Sequence, residues 1–181
     1  WSWSSLIADF DNDGRKDLFV TNGYLRDYTN KDFMMFEVNE AMAKASAKGK
    51  SLFDDKGKKE FSKIIYELVK KMPSTKIPNY MFRNRGDLTF ENVSDEWGFS
   101  APNVSTGAAY VDLDNDGDLD LLVSNTNESL GVYKNRVENL KNNFIKIKLK
   151  GNDKNTSAIG TKVWITTDST VQFLENYPVR G

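Results

Sequence analysis

Residues 5–22, SLIADFDNDGRKDLFVTN, and residues 108–125, AAYVDLDNDGDLDLLVSN, align with each other without a gap. In both copies a short apolar run precedes an acidic segment, and a second apolar run follows it. Short apolar runs bounded by turn-forming residues are typical of β-strands. The chain therefore contains an internal repeat, and each copy is predicted to form two strands joined by an acidic loop.

In each acidic loop, aspartates occupy positions 1, 3, 5 and 9, and glycine occupies position 6. The aspartates are Asp9, Asp11, Asp13 and Asp17 in the first loop, and Asp112, Asp114, Asp116 and Asp120 in the second. Alternate residues of a tightly turning backbone direct carboxylates to one centre, and Gly14 or Gly117 permits the sharp turn. The backbone carbonyl at position 7, from Arg15 or Asp118, is predicted to complete the set of oxygen ligands. The Asp118 side chain is therefore expected to matter less than the aspartates at position 3.

Four carboxylates in one loop repel one another strongly, so each loop is predicted to be poorly stable without a cation. Calcium fits such a loop because it accepts about 6 to 8 oxygens in flexible geometry, whereas magnesium requires a tight octahedron. Manganese is a weaker alternative, and a solvated acidic turn without metal is disfavoured by the second copy. An EF-hand is also disfavoured, because position 12 is Val20 or Val123 instead of glutamate. The sequence predicts two Ca²⁺ sites.

Composition excludes several classes of function. The 181 residues include no cysteine and no histidine. Disulfides, thiolate nucleophiles, zinc–thiolate sites and histidine-based catalysis are therefore impossible within this sequence. Lys and Arg number 25 against 26 Asp and Glu, which gives no electrostatic reason to expect nucleic acid as a partner. No apolar run approaches the roughly 20 residues that span a bilayer, so no transmembrane segment is predicted.

Between the two copies the sequence becomes rich in Lys, Glu, Ala and Met and has helical spacing. The first helix is predicted to begin near Thr29 or Asn30 and to end at Gly49. The second is predicted to end at Pro73. Its apolar face comprises Phe61, Ile64, Ile65, Leu68, Val69 and Met72. We interpret this segment as an inserted helical hairpin, with a partner-binding groove or lid as the alternative.

The remaining sequence is predicted to be β-rich. The predicted strands lie within residues 79–84, 88–94, 132–135, 143–151, 158–167 and 170–181. Arg85–Asp87, the tripeptide Arg-Gly-Asp, falls at a predicted hairpin turn and is interpreted as a turn. These patterns suggest four segments: a first calcium-loop β repeat at 1–29, a helical insert at 30–76, a second calcium-loop repeat at 77–141 and the start of a different β module at 142–181.

The two acidic segments, together with MFRNRGDLTFENVS at residues 81–94, resemble the FG-GAP and VCBS repeats of integrin α chains and many exported bacterial proteins. Leu88 stands where that family usually has glycine. The resemblance implies a mainly β fold of propeller-type blades, stiffened by calcium, with the helical hairpin inserted. A closed propeller needs at least about four blades, so two copies predict a partial propeller within a longer polypeptide.

The opening residues 1–14 and the segments 143–165 and 171–181 further resemble the ASPIC/UnbV group, which is related to cartilage acidic proteins. Together the two resemblances imply a non-enzymatic, extracytoplasmic binding or adhesion module, secreted or at the cell surface, whose partner is a protein or a glycan. Two alternatives remain. One is a glycan-processing enzyme that uses carboxylates such as Asp95 and Glu96, although adjacent residues of a strand point to opposite faces. The other is a scaffold that docks a partner through the helical insert.

Overall fold

The structure is a computed structural model that describes residues 1–47, 55–137, 142–167 and 171–177. Within these ranges the chain is mainly β, with several antiparallel sheets and with helices between the second and third strands. This confirms the predicted fold class at the level of secondary structure. The chain divides into two compact units: residues 1–23 with those from 77 onward, and Tyr24–Lys76.

The strands and the helices are each given in chain order, and the helices lie between β2 and β3. The strands are β1 (Ser2–Ala8), β2 (Asp17–Asn22), β3 (Ile77–Pro78), β4 (Tyr80–Asn84), β5 (Phe90–Asn92), β6 (Pro102–Asn103), β7 (Ser105–Val111), β8 (Asp120–Asn125), β9 (Gly131–Tyr133), β10 (Lys162–Thr166) and β11 (Val171–Glu175). The helices are α1 (Lys31–Phe33), a π-helical turn (Met34–Val38), α2 (Asn39–Ala47) and α3 (Asp55–Lys71).

The two copies of the repeat form the same hairpin twice. Ala8 pairs with Asp17 at the end of the β1–β2 hairpin, and Val111 pairs with Asp120 at the end of the β7–β8 hairpin. The acidic segments connect these strands, as predicted. Each hairpin continues into an antiparallel sheet, in the order β1–β2–β4–β5 for the first and β7–β8–β9 for the second.

The pairing of the strands differs from the segment boundaries expected from the sequence. Strands β4 and β5 lie within the segment assigned to the second repeat, residues 77–141, yet they complete the sheet of the first copy. The helical insert therefore interrupts one sheet between its second and third strands. In the second copy, the equivalent connection between β8 and β9 is only the short segment 126–130.

Among the described residues, a hydrophobic core joins residues of both copies. Its buried members are Leu6, Ala8, Phe10, Phe19, Met81, Val93, Phe99, Leu121 and Val123. Aromatic rings run through it: the centroids of Phe19 and Phe99 are 5.1 Å apart, and those of Phe99 and Tyr133 are 4.8 Å apart. Phe10, at position 2 of the first acidic loop, meets Tyr110 edge to face at 6.0 Å. The first acidic loop is therefore anchored in the core.

The helical unit begins and ends where the sequence predicts. The Asn30 side chain accepts a hydrogen bond from the Phe33 amide at 2.9 Å, which caps the first helical segment. Helix α3 ends just before Pro73. The predicted end at Gly49 lies outside the described residues. Backbone hydrogen bonds of 2.9 Å in both directions between Tyr24 and Thr75 hold the two ends of the unit together.

The predicted apolar stripe of α3 is only partly covered within the helical unit. Leu68 is buried, whereas Ile65 and Val69 are each 38% exposed. Among the described residues, no helix is long and apolar enough to cross a membrane.

The prediction of a strand at residues 143–151 is wrong. Residues 142–150 form no strand, although apolar residues and lysines alternate there. A strand needs a hydrogen-bonding neighbour, and β10 and β11, the two strands described after this segment, pair with each other. Their positions agree with the strands predicted at 158–167 and 170–181. The Lys-rich segment instead contacts the second acidic loop through Lys146.

The Arg-Gly-Asp tripeptide lies in the turn between β4 and β5, as predicted. The Arg85 amide donates to the Thr89 carbonyl at 3.0 Å, and the Arg85 guanidinium lies 2.9 Å from Glu91. Within this turn Leu88 has a φ of 69° and is 98% exposed. Left-handed backbone is unfavourable for leucine, so this conformation explains why glycine is usual here in the family that the sequence resembles.

We expect Leu88→Gly to raise the free energy of unfolding by about 0.5 to 1 kcal/mol, because relief of the strained φ exceeds the entropic cost of glycine. The measurement is the midpoint of urea unfolding. Leu130→Gly is the matched control, because Leu130 is also exposed, at 58%, and lies outside the described positive-φ positions. It is expected to lower stability. Equal destabilisation by both substitutions would contradict the argument.

Candidate metal centre

The first acidic loop brings three carboxylates together at the end of the β1–β2 hairpin. Oxygen atoms of Asp9, Asp11 and Asp17 lie within 4.8 Å of one another. The chain turns through left-handed conformations at Asn12, with φ of 54°, and at Gly14, with φ of 89°. These two positions produce the sharp turn that the sequence predicts for a loop with glycine at position 6.

Hydrogen bonds to backbone amides hold the carboxylates of the first loop in place. Asp9 Oδ2 accepts from the Gly14 amide at 2.8 Å, and Asp9 Oδ1 accepts from the Asp13 amide at 3.1 Å. Asp13 lies outside the converging group and instead accepts from the Arg15 amide at 2.8 Å. The Arg15 guanidinium also lies 3.0 Å from Asp13 Oδ2. The expected role of the Arg15 carbonyl as a ligand stays a prediction.

The second loop has the same backbone but a different converging group. Oxygen atoms of Asp112, Asp114 and Asp116 lie within 4.8 Å of one another. Asn115 and Gly117 have positive φ of 63° and 96°, which match the corresponding residues of the first loop. The group therefore comprises positions 1, 3 and 5 here, whereas in the first loop it comprises positions 1, 3 and 9.

The aspartate at position 9 ties each loop to the end of the third strand of its sheet or to the residues just after it. Asp17 accepts hydrogen bonds from the amides of Phe10 at 3.1 Å and Asn84 at 2.9 Å. In the second loop Asp120 accepts from Leu113 at 2.9 Å and Asn135 at 2.8 Å. The two loops share a further contact, because Asn84 Nδ2 donates to the Lys16 carbonyl and Asn135 Nδ2 donates to the Leu119 carbonyl.

From the sequence, the aspartate at position 9 was expected only to bind metal. Its hydrogen bonds to the backbone of Asn84 or Asn135 were not predicted. The signal was present in the sequence, since MFRN at residues 81–84 and VYKN at residues 132–135 both end in asparagine after a basic residue. An aspartate oxygen that accepts one amide hydrogen bond retains a further lone pair, so the backbone contacts leave Asp17 and Asp120 able to contact a cation.

The Asp118 side chain does not fit the expectation that it matters less than its neighbours. It is 2% exposed, and its Oδ2 accepts a hydrogen bond from the Val137 amide at 3.1 Å. Its Oδ1 is buried without a hydrogen-bonding partner. Burial, followed by repulsion from Asp116, raises the pKa of Asp118 to about 7. The position of Asp118 in the loop does not by itself indicate that its side chain points inward.

A basic side chain contacts the position 3 aspartate of each loop. Arg83 Nε lies 2.7 Å from Asp11 Oδ2, and Lys134 Nζ forms an ion pair with Asp114. These two cations occupy equivalent places, because Arg83 precedes Asn84 as Lys134 precedes Asn135. A third cation, Lys146, donates to Asp112 Oδ2 at 2.8 Å. Amino-acid side chains thus provide part of the positive charge that the carboxylates require.

These cations do not satisfy every carboxylate oxygen in the second loop. Asp112 Oδ1 is buried and has no hydrogen-bonding partner. A buried carboxylate oxygen without a partner is costly, and hard divalent cations such as calcium bind oxygen ligands of this kind. The converging oxygens and this buried atom show that the residues fit a calcium ion.

The two loops differ in how their surroundings affect protonation. Burial raises the pKa of Asp9 and of Asp17 to about 6, although hydrogen bonds from backbone amides oppose the rise. Burial also raises the pKa of Asp11, with the charge of Asp13 as the next cause. In the second loop the hydrogen bonds from Lys146 and Lys134 lower the pKa of Asp112 and of Asp114. Burial therefore disfavours the charged form of Asp9, Asp11 and Asp17 in the first loop, whereas the lysines favour the charged form of Asp112 and Asp114 in the second.

Two carboxylates considered outside the loops lie in a turn, not in a strand. Residues 94–98 form this turn, and both Asp95 and Glu96 are exposed. Asp95 and Glu96 are therefore not directed to opposite faces by a strand. Because both side chains are exposed, they do not support the catalytic alternative.

We expect the stability of the metal-free protein to fall as the pH rises from about 5 to about 7. Asp9, Asp17 and Asp118 have raised pKa values in the folded state, so the folded state binds more protons than the unfolded state in this window. Melting in EDTA, followed by circular dichroism, should give a midpoint lower by roughly 5 °C at the higher pH.

Asp9→Asn should flatten this pH dependence because it removes one of the titrating groups. Asp153→Asn is the matched control, since Asp153 is exposed and lies at φ 50°, a conformation that asparagine tolerates. A melting midpoint that rises between pH 5 and pH 7 in EDTA would show that the assignment of the raised pKa values is wrong.

Comparison with known families gives one match. Residues 74–123 match the family model described as FG-GAP-like repeat. Neither a curated protein nor a solved structure matches the chain. The matched residues include β4, β5 and β7, the whole second acidic loop and the start of β8. Residues 74–123 are therefore similar to an FG-GAP-like repeat, which supports the first of the two resemblances stated from the sequence.

Proposed function

We propose that this chain is a calcium-binding, non-enzymatic repeat module in which Ca²⁺ stabilises both acidic loops. The observation that carries the proposal is the convergence of three carboxylates in each loop, with Asp112 Oδ1 buried and without a partner in the second. The two loops turn through the same left-handed positions in two copies of one hairpin, which supports the same role for both. In the first loop Asp11 and Asp17 are buried, which a solvated acidic turn does not require.

The aspartates of each loop would hold the ion, with the carbonyls of Arg15 and Asp118 as further candidate ligands. When bound, calcium would supply positive charge that lowers the mutual repulsion of the carboxylates. The chain itself positions these groups, since backbone amides orient Asp9 and the position 9 aspartates fix each loop to its sheet. A cation that binds only the folded state stabilises that state by mass action.

The broader role that we propose is binding or adhesion outside the cytoplasm, with a protein or a glycan as partner. The FG-GAP-like repeat at residues 74–123 supports this role, because such repeats are typical of extracellular modules. The membership of the C-terminal segment in the ASPIC/UnbV group stays a proposal based on its sequence. The assignment as a non-enzymatic protein rests on the lack of histidine and cysteine.

Isothermal titration of the EDTA-treated and desalted protein with CaCl₂ should show binding at two sites near neutral pH. At a free calcium concentration of about 100 times Kd, each site should add about 2.7 kcal/mol to the free energy of unfolding. Differential scanning calorimetry should therefore give a higher melting temperature in calcium than in EDTA. Magnesium at the same concentration should have a smaller effect. A titration without calcium-dependent heat would rule out the proposal.

Asp11→Asn and Asp114→Asn should each remove or weaken one of the two sites, because each replaces a converging carboxylate with a neutral group of similar size. The expected loss in calcium affinity at the altered site is about tenfold or more. The other site should retain its affinity. Asp153→Asn, which removes an exposed carboxylate outside the loops, should leave both sites intact. Loss of both sites in either loop variant would show that the sites are not separate.

A further inference from the structure

A cavity of about 600 Å³ lies beside both acidic loops in the β unit. Its apolar wall includes Met81, Phe99 and Leu121, which are almost fully buried, and the half-buried Trp97 and Tyr133. The volume is in the range of sites for small organic molecules, and aromatic walls favour a flat apolar ligand.

Charged side chains also line this cavity. Arg83, Lys134 and Arg136 form what we call the basic rim, and the carboxylates of Asp11 and Glu96 lie against the same cavity. Arg83 and Lys134 are about half exposed, at 43% and 54% of their side chains. Three cations against two carboxylates give the lining a small excess of positive charge.

Two members of the basic rim are the same cations that contact the acidic loops. Arg83 pairs with Asp11, and Lys134 pairs with Asp114 and lies 3.6 Å from Asp116. A calcium ion on these carboxylates would repel both cations and compete for the oxygens that they contact. Calcium would also cancel the charge of Asp11, one of the two carboxylates against the cavity.

We propose that calcium switches this cavity into a binding site for a small organic anion with an aromatic body. The proposal rests on the proposed calcium binding and adds the ligand class and its control. With calcium in the loops, the Arg83 guanidinium and the Lys134 ammonium turn from the aspartates to the anionic group of the ligand. The ring of the ligand packs against Trp97, Phe99 and Tyr133. Without calcium, the aspartates hold the two cations and the cavity binds such anions weakly.

The test uses the full chain and two probes of similar shape, 2-naphthalenesulfonate and the neutral 2-naphthalenemethanol. Isothermal titration measures the Kd of each probe in excess calcium and in EDTA. The sulfonate should bind at least about fivefold more tightly in calcium, and by linkage it should raise calcium affinity by the same factor. The neutral probe should show little dependence on calcium. Equal responses of the two probes would overturn the proposal.

Arg83→Gln and Lys134→Gln each remove one cation of the basic rim and test the proposal separately. Each variant should lose most of the calcium-dependent gain in sulfonate binding, while it binds calcium at least as tightly as the parent protein because a competing cation is gone. Lys148→Gln is the matched control, since Lys148 is exposed and does not line the cavity. An equal loss in the control variant would refute a specific role for the basic rim.

The outcomes separate this inference from the proposed function. If calcium binds but sulfonate affinity is the same in calcium and in EDTA, the switch is wrong and the calcium sites stand. If titration detects no calcium binding, both proposals fail together. Calcium titration of each variant also reports whether its loops are folded, so a variant that misfolds is recognised before its sulfonate affinity is interpreted.

Discussion

Mutual repulsion among converging carboxylates is the constraint on which the β unit depends. Each hairpin gathers three carboxylates within 4.8 Å, and the core residue Phe10 lies inside one of the loops, next to Asp9 and Asp11. The first loop therefore cannot move into solvent without disturbing the packing between the two copies. The negative charge of the carboxylates must be balanced in place, by side-chain cations, by protonation or by a bound cation.

The two loops balance this charge in different ways. In the second, lysines from two separate segments reach the carboxylates at positions 1 and 3. In the first, Arg83 reaches only positions 3 and 5, at 2.7 and 3.9 Å, and burial raises the pKa of the aspartates at positions 1 and 9. Loops with similar sequences thus have distinct electrostatics, because position 7 is Arg15 in one and Asp118 in the other, and because Lys146 contacts only the second loop from outside the repeat.

Much of the fold could be predicted from the sequence because its signals are local. The short apolar runs on either side of each acidic loop, the turn at Gly86, the cap at Asn30 and the stop at Pro73 depend on neighbouring residues, and the structure agrees with them. Contacts between distant segments had no such signal. The pairing of β4 with β2 across the helical insert, and the contact of Arg83 with Asp11, depend on tertiary structure. The inward direction of Asp118 is a further case, since position 7 looks the same for either direction of the side chain.

The strand predicted at residues 143–151 is wrong for the same reason: it depends on a contact with a distant segment. The observed contacts of these residues connect the C-terminal segment to the acidic loops. Strict alternation predicts a strand only if a partner edge is available, and the segment contacts the second loop instead. A Cβ at Gly117 would overlap the ring of Phe144, and a Cβ at Gly14 would lie 2.8 Å from Gln172 Nε2 on β11. Glycine at position 6 therefore serves two purposes, the left-handed turn and the close approach of the C-terminal segment. Because Lys146 of this segment also contacts Asp112, the charge in the second loop and the position of the C-terminal segment depend on each other.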